Sequence, residues 1–203
     1  MKAMMLLILV FFRLSLFASD IHDAAEEGDL KALKVILQKG KDIDTLNEAS
    51  LTPLHLAAYN ENSHIIKQLI YAGADVNIKM KNGDTALHIA SLYGDAKSVS
   101  FLIRAEADIE ISGDKGMTPL HKAAEGGSEK TILILLKAGA EINIQSEDLS
   151  TPLHRAASMG NLKACMLLLK HGAEVRLKNA LGKTAFDEAV FAGEEKIMRL
   201  LKK

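Results

Sequence analysis

The sequence predicts an all-α repeat solenoid, a stack of helix-turn-helix units joined by β-hairpins or loops, and three observations predict it. Six similar phrases begin 33 residues apart: SDIHDAA at Ser19, TPLHLAA at Thr52, TALHIAS at Thr85, TPLHKAA at Thr118, TPLHRAA at Thr151 and TAFDEAV at Thr184. A second phrase keeps step with the first, as GKDID at Gly40, GADVN at Gly73, EADIE at Glu106, GAEIN at Gly139 and GAEVR at Gly172. The three prolines of the chain, Pro53, Pro119 and Pro152, each follow a phrase-opening threonine. That is an N-cap followed by proline at the first helical position, where its missing N–H costs nothing.

Residues 1–18 are a different polymer. MKAMMLLILVFFRLSLFA has one early charge at Lys2, an apolar run from Ala3 to Phe12 and small residues near its end, the layout of a secretory signal peptide. Arg13 interrupts the run well short of the roughly twenty apolar residues that a spanning helix needs, so a membrane anchor is the weaker reading. The best cleavage point follows Ala18, although Leu16 is larger than the residue usually preferred three positions before the cut. No cysteine lies nearby to carry a lipid.

Each unit from 19 to 203 then reads in the same order, with repeats starting near 19, 52, 85, 118, 151 and 184 and no linker between them. A short first helix opens at the threonine, and alanines such as Ala57 and Ala58 let a neighbouring helix approach closely. After a Gly or polar break comes a second apolar pattern at helical spacing, for example Ile65, Ile66, Leu69 and Ile70, which stops at Gly73, Gly139 or Gly172, where glycine can turn left-handed. The residues from there to the next threonine, such as Asp75 to Asp84 with Asn82-Gly83, read as an extended hairpin with a turn. Glu106 and Glu61 stand where sister units have glycine, at a small cost wherever the backbone is left-handed.

Together the TPLH-x-AA phrase, the GAD-V-N phrase and the 33-residue period resemble the ankyrin repeat. The resemblance implies two layers of helices, hairpin tips projecting from one side and a concave face that binds a partner protein. It also implies capped ends: Asp23, Glu26 and Glu27 make the first short helix polar, while the last unit has Asp187 in place of His and closes on Leu200-Leu201-Lys202-Lys203 without a hairpin. Polar caps leave no edge for further stacking, which predicts a monomer.

Composition narrows the function. The chain has 203 residues, 48% hydrophobic and 25% charged, enough for a core and unlike a disordered chain. Its formal net charge of -1 gives no general attraction to nucleic acid or anionic lipid, and Lys163, Lys170, Lys196, Arg199, Lys202 and Lys203 read as a solvated surface dispersed among acids. The lone Cys165 excludes an intramolecular disulfide and registers with Ile66, Val99 and Ile132 as core filler. His22, His55, His88, His121 and His154 form a ladder at fixed period. Packed helices lie roughly 8–10 Å apart, too far for ladder histidines to share a metal without converging. In the family such histidines join the helix start to the hairpins. His64 and His171 fall at exposed positions without a ligand nearby. No GxSxG, HExxH, phosphate-cradling loop or paired-Cys zinc pattern occurs, so no enzyme, cofactor or metal is expected.

The resemblance places partner contacts on hairpin tips and first-helix ends. The tip positions are Glu48, Ala49 and Leu51; Lys81, Asn82 and Asp84; Asp114, Lys115 and Met117; Glu147, Asp148 and Ser150. The helix positions are Tyr59 and Asn60, Leu92 and Tyr93, Glu125, Ser158 and Met159, with Phe191 further along. Tyr59, Leu92, Tyr93 and Met117 are the expected anchors, because Tyr and Met are enriched in interface cores. For Leu51 and Leu92, packing along the helix ends is an equal alternative. The expected activity is protein binding in the periplasm or outside the cell, with a membrane-tethered scaffold as the other reading.

Overall fold

The structure, a computed structural model, describes residues 20–202; the predicted signal peptide at 1–18 lies outside them. Among the described residues twelve α-helices form six pairs: α1 Ile21–Glu27 with α2 Leu30–Gln38, α3 Pro53–Tyr59 with α4 Ser63–Tyr71, α5 Ala86–Tyr93 with α6 Ala96–Arg104, α7 Pro119–Gly126 with α8 Glu129–Lys137, α9 Pro152–Ser158 with α10 Leu162–Lys170, and α11 Ala185–Ala192 with α12 Glu195–Leu201. Odd-numbered helices stack on one another as an inner layer, even-numbered ones as an outer layer, and each pair packs across the layers.

The threonine phrase starts the inner helices by satisfying groups that a helix end leaves orphaned. Thr52 holds extended backbone before Pro53; its hydroxyl accepts the His55 N–H at 3.3 Å while its own N–H donates to His55 Nδ1 at 3.2 Å. The same reciprocal pair recurs at Thr85/His88, Thr118/His121 and Thr151/His154. In the last unit Asp187 takes the histidine's place and accepts the Thr184 N–H at 2.8 Å.

The core is a row of equivalent positions. Leu54, Leu87, Leu120 and Leu153 are buried on successive inner helices, beside the paired Ala57-Ala58, Ala123-Ala124 and Ala156-Ala157. Outer helices bury one stripe each, Ile65, Ile66 and Leu69 on α4 and Ile132 and Leu135 on α8, and leave the opposite face to solvent. The approach of α7 to the end of α5 needs glycine, since a Cβ on Gly126 would stand 2.0 Å from the Leu92 carbonyl oxygen.

The expected β-hairpins are shorter than predicted: among the described residues no strand forms. Each connection instead closes a five-residue turn, in which the Met80 N–H donates to the Asp84 carbonyl and the Gly83 N–H to the Met80 carbonyl. The stretch that would extend the ladder is tied to neighbouring units. Asn77 Oδ1 accepts the Asp108 N–H, Asn143 Oδ1 accepts the Glu174 N–H, and the Ala180 N–H donates to the Asp148 carbonyl one turn away. Polar groups are thus satisfied between units rather than within a hairpin.

Candidate protein-binding face

Tyr59 and Tyr93 close helices α3 and α5, one repeat apart, and their rings meet edge to face with centroids 6.2 Å apart and planes at 69°. They remain 38% and 50% exposed, so both rings are held in place and still offer apolar surface to a partner. The Tyr59 hydroxyl reaches Met80 Sδ at 3.7 Å, linking the pair to the next turn. Burial raises the Tyr59 phenol's pKa and the nearby Asp84 charge adds to it, which keeps the hydroxyl protonated as a donor.

Around this pair the predicted contacts divide. Asn60, Lys81, Asn82, Lys115 and Met159 are exposed, as are Glu48, Ala49, Glu147, Asp148 and Phe191. Leu92, Asp114, Glu125, Leu51 and Ser158 are half-buried. Met117, Asp84 and Ser150 are buried, which corrects their expected place on the surface. All three occupy the position immediately before a threonine, and Met117 and Ser150 are drawn inward there because their carbonyls bind His88 and His121 of the preceding units. Met117 is therefore no anchor.

Asp84 is inside for a different reason. Its Oδ1 accepts the Asp114 N–H at 2.9 Å, and its Oδ2 accepts from Asn82 Nδ2 at 3.0 Å and faces Lys122 Nζ at 3.3 Å, in an ion pair with both side chains about nine-tenths covered. Two exposed apolar residues on the tips escaped the sequence reading: Leu149, 45% exposed, and Leu181, 78% exposed. A leucine at the apex of an otherwise polar turn was the available signal.

The histidine ladder is a set of fastenings. His88 Nδ1 accepts the Thr85 N–H at 3.1 Å, which leaves the ring proton on Nε2, and Nε2–H donates to the Met117 carbonyl at 3.0 Å. His121 reaches the Ser150 carbonyl at 2.9 Å and His154 the Lys183 carbonyl at 3.1 Å in the same way, while His22 reaches the Thr45 carbonyl at 2.9 Å. The buried Nε2 of His55 alone among these lacks a hydrogen-bond partner among the described residues. Desolvation lowers the pKa of His88 and His154 and takes His55 and His121 down to about 4, so these rings are neutral at pH 7. Cys165 is fully buried and its thiol is pushed up to about 12 by burial, which suits packing and suppresses the thiolate.

Among the described residues no group of three or more His, Cys, Asp or Glu side chains is placed to hold a metal ion, and no helix is long and apolar enough to cross a membrane. No curated protein matches the sequence. A family model described as ankyrin repeats (3 copies) matches residues 21–113, 54–146 and 139–203. With its capped helix pairs, histidine fastenings and linked turns matched along almost their whole length, the chain belongs to the ankyrin-repeat family.

Proposed function

We propose that this chain is a non-enzymatic binding module that holds one partner protein on the inner face around Tyr59 and Tyr93, after export from the cytoplasm by residues 1–18. Ankyrin repeats are general protein–protein interaction modules, and the observation that carries the choice of face is the exposed, edge-to-face tyrosine pair. Aromatic anchors ringed by polar groups are the usual composition of an interface hot spot. Here Asn60, Lys81, Asn82 and Lys115 supply the rim, with Met159 further along. The non-enzymatic reading is supported by the chemistry of the reactive residue types: His88, His121 and His154 are neutral and occupied in fastening, and the Cys165 thiol is buried.

The test is capture from an extract of the source organism by the wild-type chain beside a Tyr59→Ala/Tyr93→Ala variant with the same thermal midpoint. A partner held by the first should bind the second about thirtyfold more weakly, the size of a 2 kcal/mol hot-spot loss. Equal capture moves the binding surface elsewhere. Export is read separately by intact mass: a mature chain beginning near Ser19 supports a released protein, whereas retention of 1–18 favours the tethered scaffold.

A further inference from the structure

The near-zero net charge conceals a segregation. The six outer helices carry eleven Lys and Arg against two Glu, whereas the rest of residues 20–202 carries eleven Lys and Arg against 24 Asp and Glu. All eleven outer-layer cations are exposed. Of them, only Lys163 and Arg199 meet a carboxylate within 4.0 Å among the described residues, and those partners are the two glutamates of the same layer, Glu129 and Glu195. The outer layer is therefore a basic face, not the mixture of charges that the sequence suggested.

Apolar side chains stand among these cations. Val35 on α2, Tyr71 on α4 and Met166 on α10 are 51%, 74% and 53% exposed. Lys67 Nζ lies 5.5 Å from the Tyr71 ring centroid and 5.7 Å from that of Phe101 on the next outer helix, so its ammonium stands over aromatic surface. Two shallow grooves share Phe101 and Arg104: one of about 240 Å³ between α4 and α6, the other of about 470 Å³ between α6 and α8, the second edged by Lys97, Lys130 and Lys137. No carboxylate lines either groove.

We infer that the outer-helix face docks on an anionic membrane surface, with the cations among lipid headgroups and Tyr71, Val35 and Met166 at the acyl boundary. Charge complementarity and the spread of the face choose this occupant. A peptide in one groove would engage a few of the cations, and a nucleic acid would gain nothing from exposed Val35 and Met166. A lipid surface meets the entire row of helices and rewards both the charge and the apolar side chains. The tyrosine pair ends helices of the inner layer, so this docking leaves it free. This inference is independent of the identity of any partner at Tyr59 and Tyr93.

The experiment is vesicle binding by the purified chain, measured as the ratio of its affinities for vesicles with 30% phosphatidylserine and for pure phosphatidylcholine. The 1–18 segment, with Lys2 and Arg13, is identical in the wild type and in both variants, so the differences among the three report the outer-helix face. The wild type should prefer the anionic vesicles by tenfold or more at low salt, and the preference should fall as salt rises. A K31E/K67E/K97E/K130E variant, with one reversal on each of four successive outer helices, should lose the preference while keeping its circular dichroism and thermal midpoint. A K41E/K79E/R176E/K178E variant, with the same change in net charge placed in the turns, should keep it. No preference in the wild type, equal losses in the two variants, or binding to polyuridylate or polyglutamate in place of vesicles would overturn the inference.

Discussion

Asp84 stands in a turn whose sequence looks solvated, yet it is buried because three donors converge on it: the Asp114 N–H, Asn82 Nδ2 and Lys122 Nζ. Removing one member of such a pair strands a charge in a poorly hydrated place, which is far costlier than replacing both. Lys122→Ala is expected to lower stability by about 3 kcal/mol, and Asp84→Asn combined with Lys122→Met to recover most of that, both read from urea midpoints. A loss below about 1 kcal/mol in the single variant would mean that water reaches the pair. Neither this pair nor the burial of Met117 was legible in the sequence. The 33-residue register says which positions are equivalent, but not that Met117 and Ser150, each before a threonine, are pulled inward by a histidine 29 positions earlier. Tyr59 and Tyr93 could be read, because the register puts both at the open ends of inner helices.

Among the elements, helix ends record the cost of departing from the repeat pattern. Glu61 and Glu106 hold φ of 53° and 61°, left-handed conformations that sister units give to glycine. A side chain there is strained by roughly 1 kcal/mol. Glu61→Gly and Glu106→Gly should each raise stability by about 1 kcal/mol in denaturant titrations, whereas Glu106→Ala should leave it nearly unchanged because the Cβ remains. If Ala stabilised as much as Gly, charge rather than backbone strain would be the cause. The threonine caps and proline starts were fully readable, since they depend on residues within one turn of each other. The hairpins were not: pairing within a connection competes with bonds to the next unit, such as Asn77 Oδ1 to the Asp108 N–H, and those bonds prevail.

Across the whole molecule the ladder couples stacking to pH. Folded His55 and His121 take up a proton only near pH 4, against 6.5 for a solvated imidazole, so the unfolded chain binds more protons between those values. Their contribution is complete above pH 6.5 and is lost as pH falls towards 4, by roughly 3 kcal/mol for each ring. Calorimetry should show a steep fall in Tm between pH 6.5 and 4 that is shallower in His121→Gln; a flat profile would show that the rings protonate without unfastening the units. Carboxylates held low by hydrogen bonds, Asp148 and Asp187 among them, act with the same sign but only below their ordinary pKa of 3.8. The sequence by itself determined the repeat, the order of helices, the caps and the burial of Cys165, because each follows from local chemistry copied at a fixed period. Only the tertiary structure decided which turn residues face inward, that Asp84 and Lys122 are sealed together, and that a chain of net charge -1 turns a basic face outward. Those features arise when units 33 residues apart are stacked, and a formal charge count carries no direction in space.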